Sequence, residues 1–277
     1  DSTMILTRFL DNVVTWNEDL NALEKQRKAA SETRRLGLGV MGIADMLNQL
    51  GVAYDSEQGV IIIEKVMEYI TNAAYQASSF IAKEKNPSPI FNEQTYMECP
   101  FVKEALSEQT HAMIRKNGLR NIAIMSIAPT GSISNIVLGY KSESKNYIGV
   151  SGGVEPIFST FYTRRSESFG NKFFKVFHST IQAYIDKMGL QKEVDGAKDV
   201  DDVLPDYLTR TAHKIDSIKR VGIQGVIQRY VDHSISSTIN LPEDVEPETI
   251  SDIYIKAWKH NLKGVTIYRD GSRFPIL

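Results

Sequence analysis

The stretch NIAIMSIAPTGSIS, residues 121–134, is an apolar run that stops abruptly in a small, hydroxyl-rich turn. Its apolar part, residues 122–127, predicts a buried β-strand. The turn that follows runs from Pro129 through Thr130 and Gly131 to Ser132. Hydroxyl groups and free backbone N–H groups at a helix start can hold a phosphate without any basic side chain. The stretch therefore predicts either an anion-binding loop at the end of a strand or a simple N-capped helix start.

The composition of the 277-residue chain is that of a globular protein, since 42% hydrophobic residues are enough for a sizeable core. Lys and Arg number 32 and Asp and Glu number 34, which gives a formal charge of −2. No global field would then draw the chain to nucleic acid or to an anionic membrane. The apolar runs are far shorter than the roughly 18 residues of a membrane span. We expect a soluble protein without nucleic-acid or membrane partners.

Cysteine and histidine usage argues against metal and disulfide chemistry. Cys99 is the single cysteine, so an internal disulfide framework is excluded and a reducing, cytoplasmic location is expected. The histidines show no ligand spacing. The acidic residues 193–202 lack the ordered ligand positions of a calcium loop and predict a solvated loop instead. The sequence therefore predicts no metal site.

Helical and strand patterns alternate along the chain, which predicts an α/β fold that forms one unit over residues 1–277. Helices are predicted over residues 4–16, 55–85 and 173–188, and strands over residues 157–162, 235–241 and 265–268. Asp55 is expected to cap the long helix that follows it, whose apolar positions Ile62, Val66, Tyr69, Ile70 and Ala73 should lie on one face. In residues 235–241, apolar side chains alternate with Ser236, Thr238 and Asn240, so one face of that strand should be polar.

Gly37, Gly39 and Gly42 match the G-x-G-x-x-G pattern of dinucleotide-binding loops. Such a loop also needs a hydrophobic strand immediately before its first glycine, and residues 32–36 here read ETRRL. Two alternatives follow. The glycines belong either to a cofactor loop of a nicotinamide- or flavin-dependent oxidoreductase, or to a close-packed turn between a strand and a helix.

Five motifs occur in a characteristic order: RLGLGVMG (35–42), APTGSIS (128–134), SGGVEP (151–156), HSISSTINLP (233–242) and GVTIYRDGSR (264–273). In this order they resemble the large chain of ribonucleotide reductase, most closely the adenosylcobalamin-dependent type called class II. The resemblance covers nearly the whole chain. It implies the C-terminal half of a ten-stranded α/β barrel with several long helices, and a reaction that replaces the ribose 2′-hydroxyl with hydrogen.

The resemblance also implies the site. The substrate would be a ribonucleoside di- or triphosphate, and its phosphate would be bound by Ala128, Pro129, Thr130, Gly131, Ser132 and Ile133. Further residues of the barrel site would be Gly152, Gly153 and Glu155. The family's cysteine-bearing radical segments are not found in this sequence, and Cys99 lies in Met-Glu-Cys-Pro, which matches neither. The resemblance therefore implies no catalytic residue in this chain and, as its partner, a separate chain that carries the N-terminal half.

The predicted last strand, residues 265–268, helps to identify the cofactor that the resemblance implies. Diiron-linked members of the family resemble one another in two adjacent tyrosines that relay a radical, and the comparable pair here is Ile267 and Tyr268. Isoleucine cannot be oxidised at accessible potentials, so adenosylcobalamin, shared with the other half, is the expected cofactor. Three functions stay open: a split or truncated reductase that is inactive alone, a non-catalytic scaffold or binding fragment of the same fold, and a dinucleotide-binding oxidoreductase that uses Gly37, Gly39 and Gly42.

Overall fold

The structure is a computed structural model that describes residues 1–166 and 172–272. Its helices are α1 (Ser2–Trp16), α2 (Glu24–Thr33), α3 (Ile43–Gln49), α4 (Glu57–Lys85), α5 (Glu93–Met97), α6 (Pro100–Ala105), α7 (Glu108–Asn117), α8 (Ser179–Met188), α9 (Gln191–Gly196), α10 (Asp206–Thr209), α11 (Ser217–Gln228) and α12 (Pro247–Lys259). Its strands are β1 (Leu138–Lys141), β2 (Asn146–Ile148), β3 (Phe161–Ser166), β4 (Lys172–Phe177), β5 (Thr238–Leu241) and β6 (Thr266–Arg269). Arg273, which ends the last sequence motif, lies outside these residues.

Four extended segments lie side by side in a parallel layer. Leu38 bridges Met125, and Ile127 bridges Ile235, both in parallel orientation. The chain after Ile235 continues into β5, which pairs in parallel with β6. Helices connect successive segments, as parallel pairing requires. The layer therefore follows the order of the sequence, and the predicted α/β fold is confirmed.

The predicted strand over residues 122–127 is the second segment of this layer. Ile124 and Met125 have no exposed surface, and Ile127 is also buried. These side chains belong to the main hydrophobic core, which includes residues of α3, α4, α7, α8 and α11. A smaller cluster of Val221, Ile239, Leu241, Ile253 and Ala257 lies under β5, β6 and α12. The predicted single unit over residues 1–277 stays a prediction.

The long helix α4 corrects two expectations. It begins after Ser56, whose hydroxyl accepts the Gly59 N–H at 3.0 Å. Asp55, the residue at which the helix was expected to begin, instead binds the Arg210 guanidinium through both carboxylate oxygens, at 3.0 and 2.5 Å. Because an ion pair to a distant arginine leaves no local trace, the sequence could not distinguish the two neighbouring side chains as caps.

The predicted apolar face of α4 is only partly buried, because Ile62 and Ile70 pack against the main core whereas Tyr69 is 69% exposed. The buried face also carries Ile63 and Met67 together with polar residues. The Thr71 hydroxyl donates to the Tyr230 carbonyl at 2.7 Å, and the Ser78 hydroxyl donates to Oδ1 of Asn121 at 2.9 Å. Polar side chains with internal partners can be buried, so a search for apolar positions alone finds only part of the buried face.

Two predictions around the hairpin of β3 and β4 are wrong in their boundaries. Residues 157–160 are not a strand, and β3 begins at Phe161. Residues 173–177 belong to β4 rather than to a helix, and only Ser179–Met188 is helical. Phe161 pairs with Phe177 in the antiparallel hairpin. The aromatic content of residues 173–177 favours a strand, and the helix begins only after that run ends.

The Asp232 carboxylate fixes the second segment to its neighbours. Its Oδ2 accepts the N–H of Ile124 at 2.7 Å, and its Oδ1 accepts the N–H of Met125 at 2.9 Å. The Tyr75 hydroxyl of α4 donates to the same carboxylate. Burial raises the pKa of Tyr75 well above its usual value, so this hydroxyl stays protonated and acts as a donor. One side chain thus joins two segments of the layer to the long helix.

We expect Asp232→Asn to lower the free energy of unfolding by about 2–4 kcal/mol, because an amide cannot accept all three hydrogen bonds. Urea denaturation followed by circular dichroism measures this loss. Asp244→Asn, at an exposed carboxylate, is the matched control and should stay within about 0.5 kcal/mol of the wild type. Equal stabilities of the two variants would show that Asp232 does not anchor the layer.

Candidate functional site

The loop of residues 128–133 follows the second segment of the layer and leads into a short 3-10 turn, Ile133–Asn135. Thr130 has a φ of 54°, in the left-handed region that costs a residue with a Cβ about 1–2 kcal/mol. Its carbonyl accepts the Ser134 N–H at 2.9 Å, and the Asn135 amide donates to the Gly131 carbonyl at 2.6 Å. These bonds hold the loop in one tight conformation.

The loop leaves its own backbone donors free. Within residues 1–166 and 172–272, the N–H groups of Thr130, Gly131, Ser132 and Ile133 have no protein acceptor. Thr130 is half-buried, and the other three residues are exposed. Consecutive free N–H groups in a turn form a concavity that suits an anion. The predicted phosphate loop therefore has the donors that phosphate binding requires.

The turn of residues 151–155 packs directly on this loop. The Gly153 N–H donates to the Thr130 hydroxyl at 2.8 Å. A Cβ on Gly152 would lie 2.6 Å from the Pro129 carbonyl oxygen, closer than real Cβ atoms come. Gly153 has a φ of 47°, and a Cβ there would lie 2.9 Å from the Ala128 carbonyl oxygen. Both glycines are therefore required for this close approach.

Asp45 on α3 anchors the same turn. Its Oδ2 accepts the Ser151 N–H at 2.6 Å, and its Oδ1 accepts the Thr180 hydroxyl at 2.9 Å. Nδ1 of His178 lies 3.4 Å from Oδ1 of Asp45. Burial lowers the pKa of His178, and the Asp45 charge opposes this shift. At neutral pH the imidazole is therefore uncharged, and its Nδ1 faces a carboxylate.

Glu155 joins the turn to β5 and α11. Its Oε1 accepts the Thr238 N–H at 2.8 Å, and its Oε2 accepts a hydrogen bond from the Arg220 guanidinium at 2.7 Å. Arg220 is buried and also donates to the Ser237 hydroxyl at 2.6 Å. Both oxygens of the Glu155 carboxylate therefore have partners, and the residue holds the turn against the backbone of β5.

Tyr54 forms a hydrogen bond to the backbone of the turn. Its hydroxyl donates to the Val154 carbonyl at 2.6 Å. Burial raises the pKa of Tyr54 to about 12, with the charge of Glu155 adding to the shift and that of Arg220 opposing it. The phenol is therefore a neutral donor throughout the physiological range.

A cavity of about 440 Å³, here called the loop cavity, lies between the loop, the turn and β5. Its polar lining consists of Ser134, Asn135, Ser151, Glu155, His178, Ser236, Thr238 and Asn240. Ser236, Thr238 and Asn240 are the predicted polar face of residues 235–241, whereas Ile239 and Leu241 are buried in the core. The predicted alternation is confirmed, and its polar face borders the candidate site.

The sequence-predicted site residues are only partly brought together. Pro129, Gly152 and Glu155 line the loop cavity. Ala128, Thr130 and Gly153 do not line it, although the Gly153 N–H joins the turn to the Thr130 hydroxyl. Gly131, Ser132 and Ile133 do not line this cavity and lie on the exposed side of the loop.

Sequence reasoning missed the supporting residues Asp45, His178 and Arg220. Their partners are distant in the chain, with Asp45 and Ser151 separated by 106 positions, so no local pattern could have found them. The polar alternation over residues 235–241 was the one signal that identified a further cavity wall.

The glycine fingerprint at residues 37–42 contributes to packing. Gly37 and Gly39 lie within the first segment of the layer, next to Leu38, whose N–H donates to the Ile124 carbonyl at 2.8 Å. A Cβ on Gly39 would collide with the Ser126 carbonyl oxygen. Gly42, with a φ of 78°, precedes α3. This geometry agrees with the close-packed alternative for these glycines.

Residues 1–166 and 172–272 lack two further kinds of feature. They contain no cluster of three or more His, Cys, Asp or Glu side chains that could hold a metal ion. No helix in this part of the chain combines the length and apolarity needed to cross a membrane. Cys99 is exposed immediately before α6 and does not line the loop cavity.

The sequence profile of the family described as ribonucleotide reductase, barrel domain, matches residues 1–268. The chain belongs to this ribonucleotide reductase family. It is 31% identical over 276 residues to the vitamin B12-dependent ribonucleoside-diphosphate reductase of Mycobacterium tuberculosis, which covers 97% of this chain and 36% of that protein. The enzyme of the same name from Thermoplasma acidophilum is 32% identical, over 96% of this chain and 32% of its own length.

A solved structure shares the fold. The class Id ribonucleotide reductase alpha subunit of Actinobacillus ureae matches 97% of this chain and 46% of its own length, with a TM-score of 0.72 and 21% sequence identity. The resemblance drawn from the five motifs is confirmed, and the chain is an α/β fragment of the reductase barrel. It spans about a third of the length of the curated relatives named above.

We expect Gly152→Ala to lower the free energy of unfolding by about 1–3 kcal/mol, because the added methyl group must displace the Pro129 carbonyl. Gly131→Ala is the matched control, since a Cβ at that position has no atom within 4 Å. Thermal unfolding of the two variants, followed by circular dichroism, tests this. Equal losses in both would contradict the close packing of the turn on the loop.

Proposed function

We propose that this chain is the substrate-phosphate-binding part of a ribonucleotide reductase, an enzyme that converts ribonucleotides to deoxyribonucleotides. The observation that carries the proposal is the row of free N–H groups at residues 130–133, next to a cavity whose walls are hydroxyl and amide side chains. Free N–H groups at a helix start attract a phosphate, and hydroxyl and amide groups match a ribose. Membership of the reductase family supports the same reaction.

The substrate we propose is a ribonucleoside diphosphate, since the two B12-dependent relatives are named as ribonucleoside-diphosphate reductases. Its phosphate would lie against the N–H groups of residues 130–133. Its ribose would face Ser236, Thr238 and Asn240 across the loop cavity. In this arrangement the chain binds and orients the substrate, while Glu155 and Asp45 hold the cavity walls.

The redox chemistry would come from cysteines outside these 277 residues. Cys99, the one cysteine of the sequence, is exposed and does not line the loop cavity. We propose that an N-terminal half of the barrel supplies the thiyl radical and the reducing cysteines, either in the same polypeptide or as a separate chain. The outer face of α1 supports such a neighbour, because Ile5, Phe9 and Trp16 are 67%, 52% and 70% exposed.

Adenosylcobalamin is the proposed cofactor of the complete enzyme, on the basis of Ile267 in the last strand and of the named relatives. The loop cavity, at about 440 Å³, has the size of a site for a drug-sized ligand. A corrin with its adenosyl and nucleotide arms is several times larger. The residues of this cavity therefore do not form a cobalamin site by themselves, and its remaining walls would belong to the other half.

We expect the double variant Thr130→Ala, Ser132→Ala to raise the KM for the ribonucleotide about tenfold in the assembled reductase, with kcat much less affected. Both hydroxyl groups lie where the phosphate is proposed to bind. Steady-state kinetics with the N-terminal half present measures the effect. Ser251→Ala, on the exposed surface of α12, is the control. An unchanged KM would remove the phosphate role of the loop.

We expect deoxyribonucleotide formation only when this chain, an N-terminal half with the radical cysteines and adenosylcobalamin are all present. The chain alone should be inactive, because its one cysteine lies away from the cavity. Chromatographic detection of the deoxyribonucleotide, with each component omitted in turn, measures this. A folded complex with all components but no product would favour the non-catalytic scaffold alternative.

A further inference from the structure

His178 is a wall residue of the loop cavity to which the proposed binding arrangement gives no role. It lies between β4 and α8, with 19% of its side chain exposed. One nitrogen makes the polar contacts of the ring, since Nδ1 lies 3.4 Å from Oδ1 of Asp45 and 3.2 Å from Oγ1 of Thr180. Within the described residues, Nε2 on the other side of the ring has no hydrogen-bond partner, and it is not shielded from solvent. A ligand in the loop cavity can therefore reach Nε2.

The neighbours of Nδ1 determine which ring nitrogen carries the proton. The Thr180 hydroxyl donates its hydrogen to Oδ1 of Asp45 at 2.9 Å, so its oxygen can only accept from the imidazole. Oδ1 of Asp45 is also an acceptor. Because burial lowers the pKa of His178, the ring is neutral near pH 7 and has one N–H group. That N–H is on Nδ1, which faces two acceptors, and Nε2 keeps a lone pair and is an acceptor.

The position of His178 is fixed relative to the end of the loop. The hydroxyl of the next residue, Ser179, donates to the Gly149 carbonyl. Val150, the residue after Gly149, donates its N–H to the Ser134 carbonyl at 2.9 Å, in the 3-10 turn that follows the loop. These bonds join the start of α8 to that turn. The acceptor nitrogen is therefore held in place before a ligand arrives, as an effective binding group should be.

An acceptor nitrogen in this wall selects one kind of ligand group. Hydroxyl and amide side chains such as Ser236, Thr238 and Asn240 can donate as well as accept, whereas Nε2 of His178 can only accept. The carboxylate of Glu155, an acceptor in the same wall, is engaged through both oxygens. An ionised phosphate offers acceptors, whereas a ribose offers hydroxyl donors. Nε2 of His178 therefore suits the sugar of a nucleotide rather than its phosphate.

We propose that Nε2 of His178 accepts a hydrogen bond from a ribose hydroxyl of the substrate and thereby sets the orientation of the sugar in the loop cavity. This inference rests on the proposed function, in which a ribonucleoside diphosphate occupies that cavity. Asp45 acts through His178 as a positioning residue, because its carboxylate keeps the N–H on Nδ1 and the lone pair on the side of the sugar.

The test compares two amide variants of His178 in the assembled reductase without adenosylcobalamin, so that no turnover occurs. Isothermal titration measures the affinity for a ribonucleoside diphosphate. His178→Asn places an amide near the position of Nδ1, which keeps a donor for Asp45 but removes the acceptor, and should weaken binding about three- to tenfold. His178→Gln places its amide near the position of Nε2 and should stay within about twofold of the wild type. A residue needed only for packing would not separate the two variants in this order.

Matched ligands test whether the partner is a ribose hydroxyl. Analogues that lack the 2′-hydroxyl or the 3′-hydroxyl group are titrated into the wild type and into His178→Asn. With one of these analogues the two proteins should bind equally, because the hydrogen bond is already absent. A loss by the same factor for the ribonucleotide and both analogues would overturn the inference.

The outcomes separate this inference from the proposed function. Binding that is weakened by Thr130→Ala with Ser132→Ala but unchanged by His178→Asn overturns the role of His178 and leaves the phosphate loop intact. No binding of the ribonucleotide to the wild-type assembly overturns both. If His178→Asn does not fold, nitrogen NMR of the wild-type imidazole decides. An unprotonated Nε2 whose resonance shifts when the ribonucleotide is added supports the inference, and a protonated or unresponsive Nε2 overturns it.

Discussion

The candidate site depends on the three hydrogen bonds that the Asp232 carboxylate accepts. The parallel layer is held by short ladders and single bridges, so few strand-to-strand hydrogen bonds fix the segment that ends in the loop. Asp232 bonds two consecutive N–H groups of that segment and the Tyr75 hydroxyl. A charged acceptor forms stronger hydrogen bonds than a carbonyl. The position of the loop at residues 128–133 therefore follows from a side chain more than a hundred residues further along the chain.

Carboxylates also bind backbone N–H groups around the loop cavity. Asp45 accepts the Ser151 N–H, and Glu155 accepts the Thr238 N–H, so carboxylates fix two further walls. Negative charges near a phosphate would ordinarily repel it. Here the Glu155 charge is paired with Arg220, and Asp45 accepts two hydrogen bonds. Both carboxylates are held by hydrogen bonds within the protein, whereas the free N–H groups belong to the largely exposed loop at residues 130–133. The arrangement separates the groups that hold the site from those that would bind the anion.

The sequence predicted what local pattern determines. The extended segment over residues 122–127 follows from its apolar run, although the structure gives it two isolated bridges rather than a continuous strand. The polar face of residues 235–241 follows from periodicity, and the five motifs led to the correct family. Prediction from the sequence failed where residues distant in the chain determine which side chains are buried or which segments pair. The buried face of α4 includes Thr71 and Ser78, which are buried because Tyr230 and Asn121 lie opposite them. Residues 173–177 form a strand because β3 pairs with them. No local pattern marked Asp232, because its partners Ile124, Met125 and Tyr75 are more than a hundred residues away in the chain.

Helix α1 carries apolar residues on both of its sides, since Leu10 and Val14 pack against the main core while others are exposed. Its buried positions are Thr7 and Asp11, and Asp11 forms an ion pair with the buried Arg34 at 2.9 Å. Its exposed positions include Ile5, Phe9 and Trp16. A helix at the surface of a complete domain normally turns its apolar side inward. An apolar outer face, in addition to an inner side that is already packed, suits a helix that lies between two layers. The exposed apolar face of α1 and the open walls of the loop cavity are therefore both accounted for by one feature of the proposed enzyme, a second half that completes the barrel.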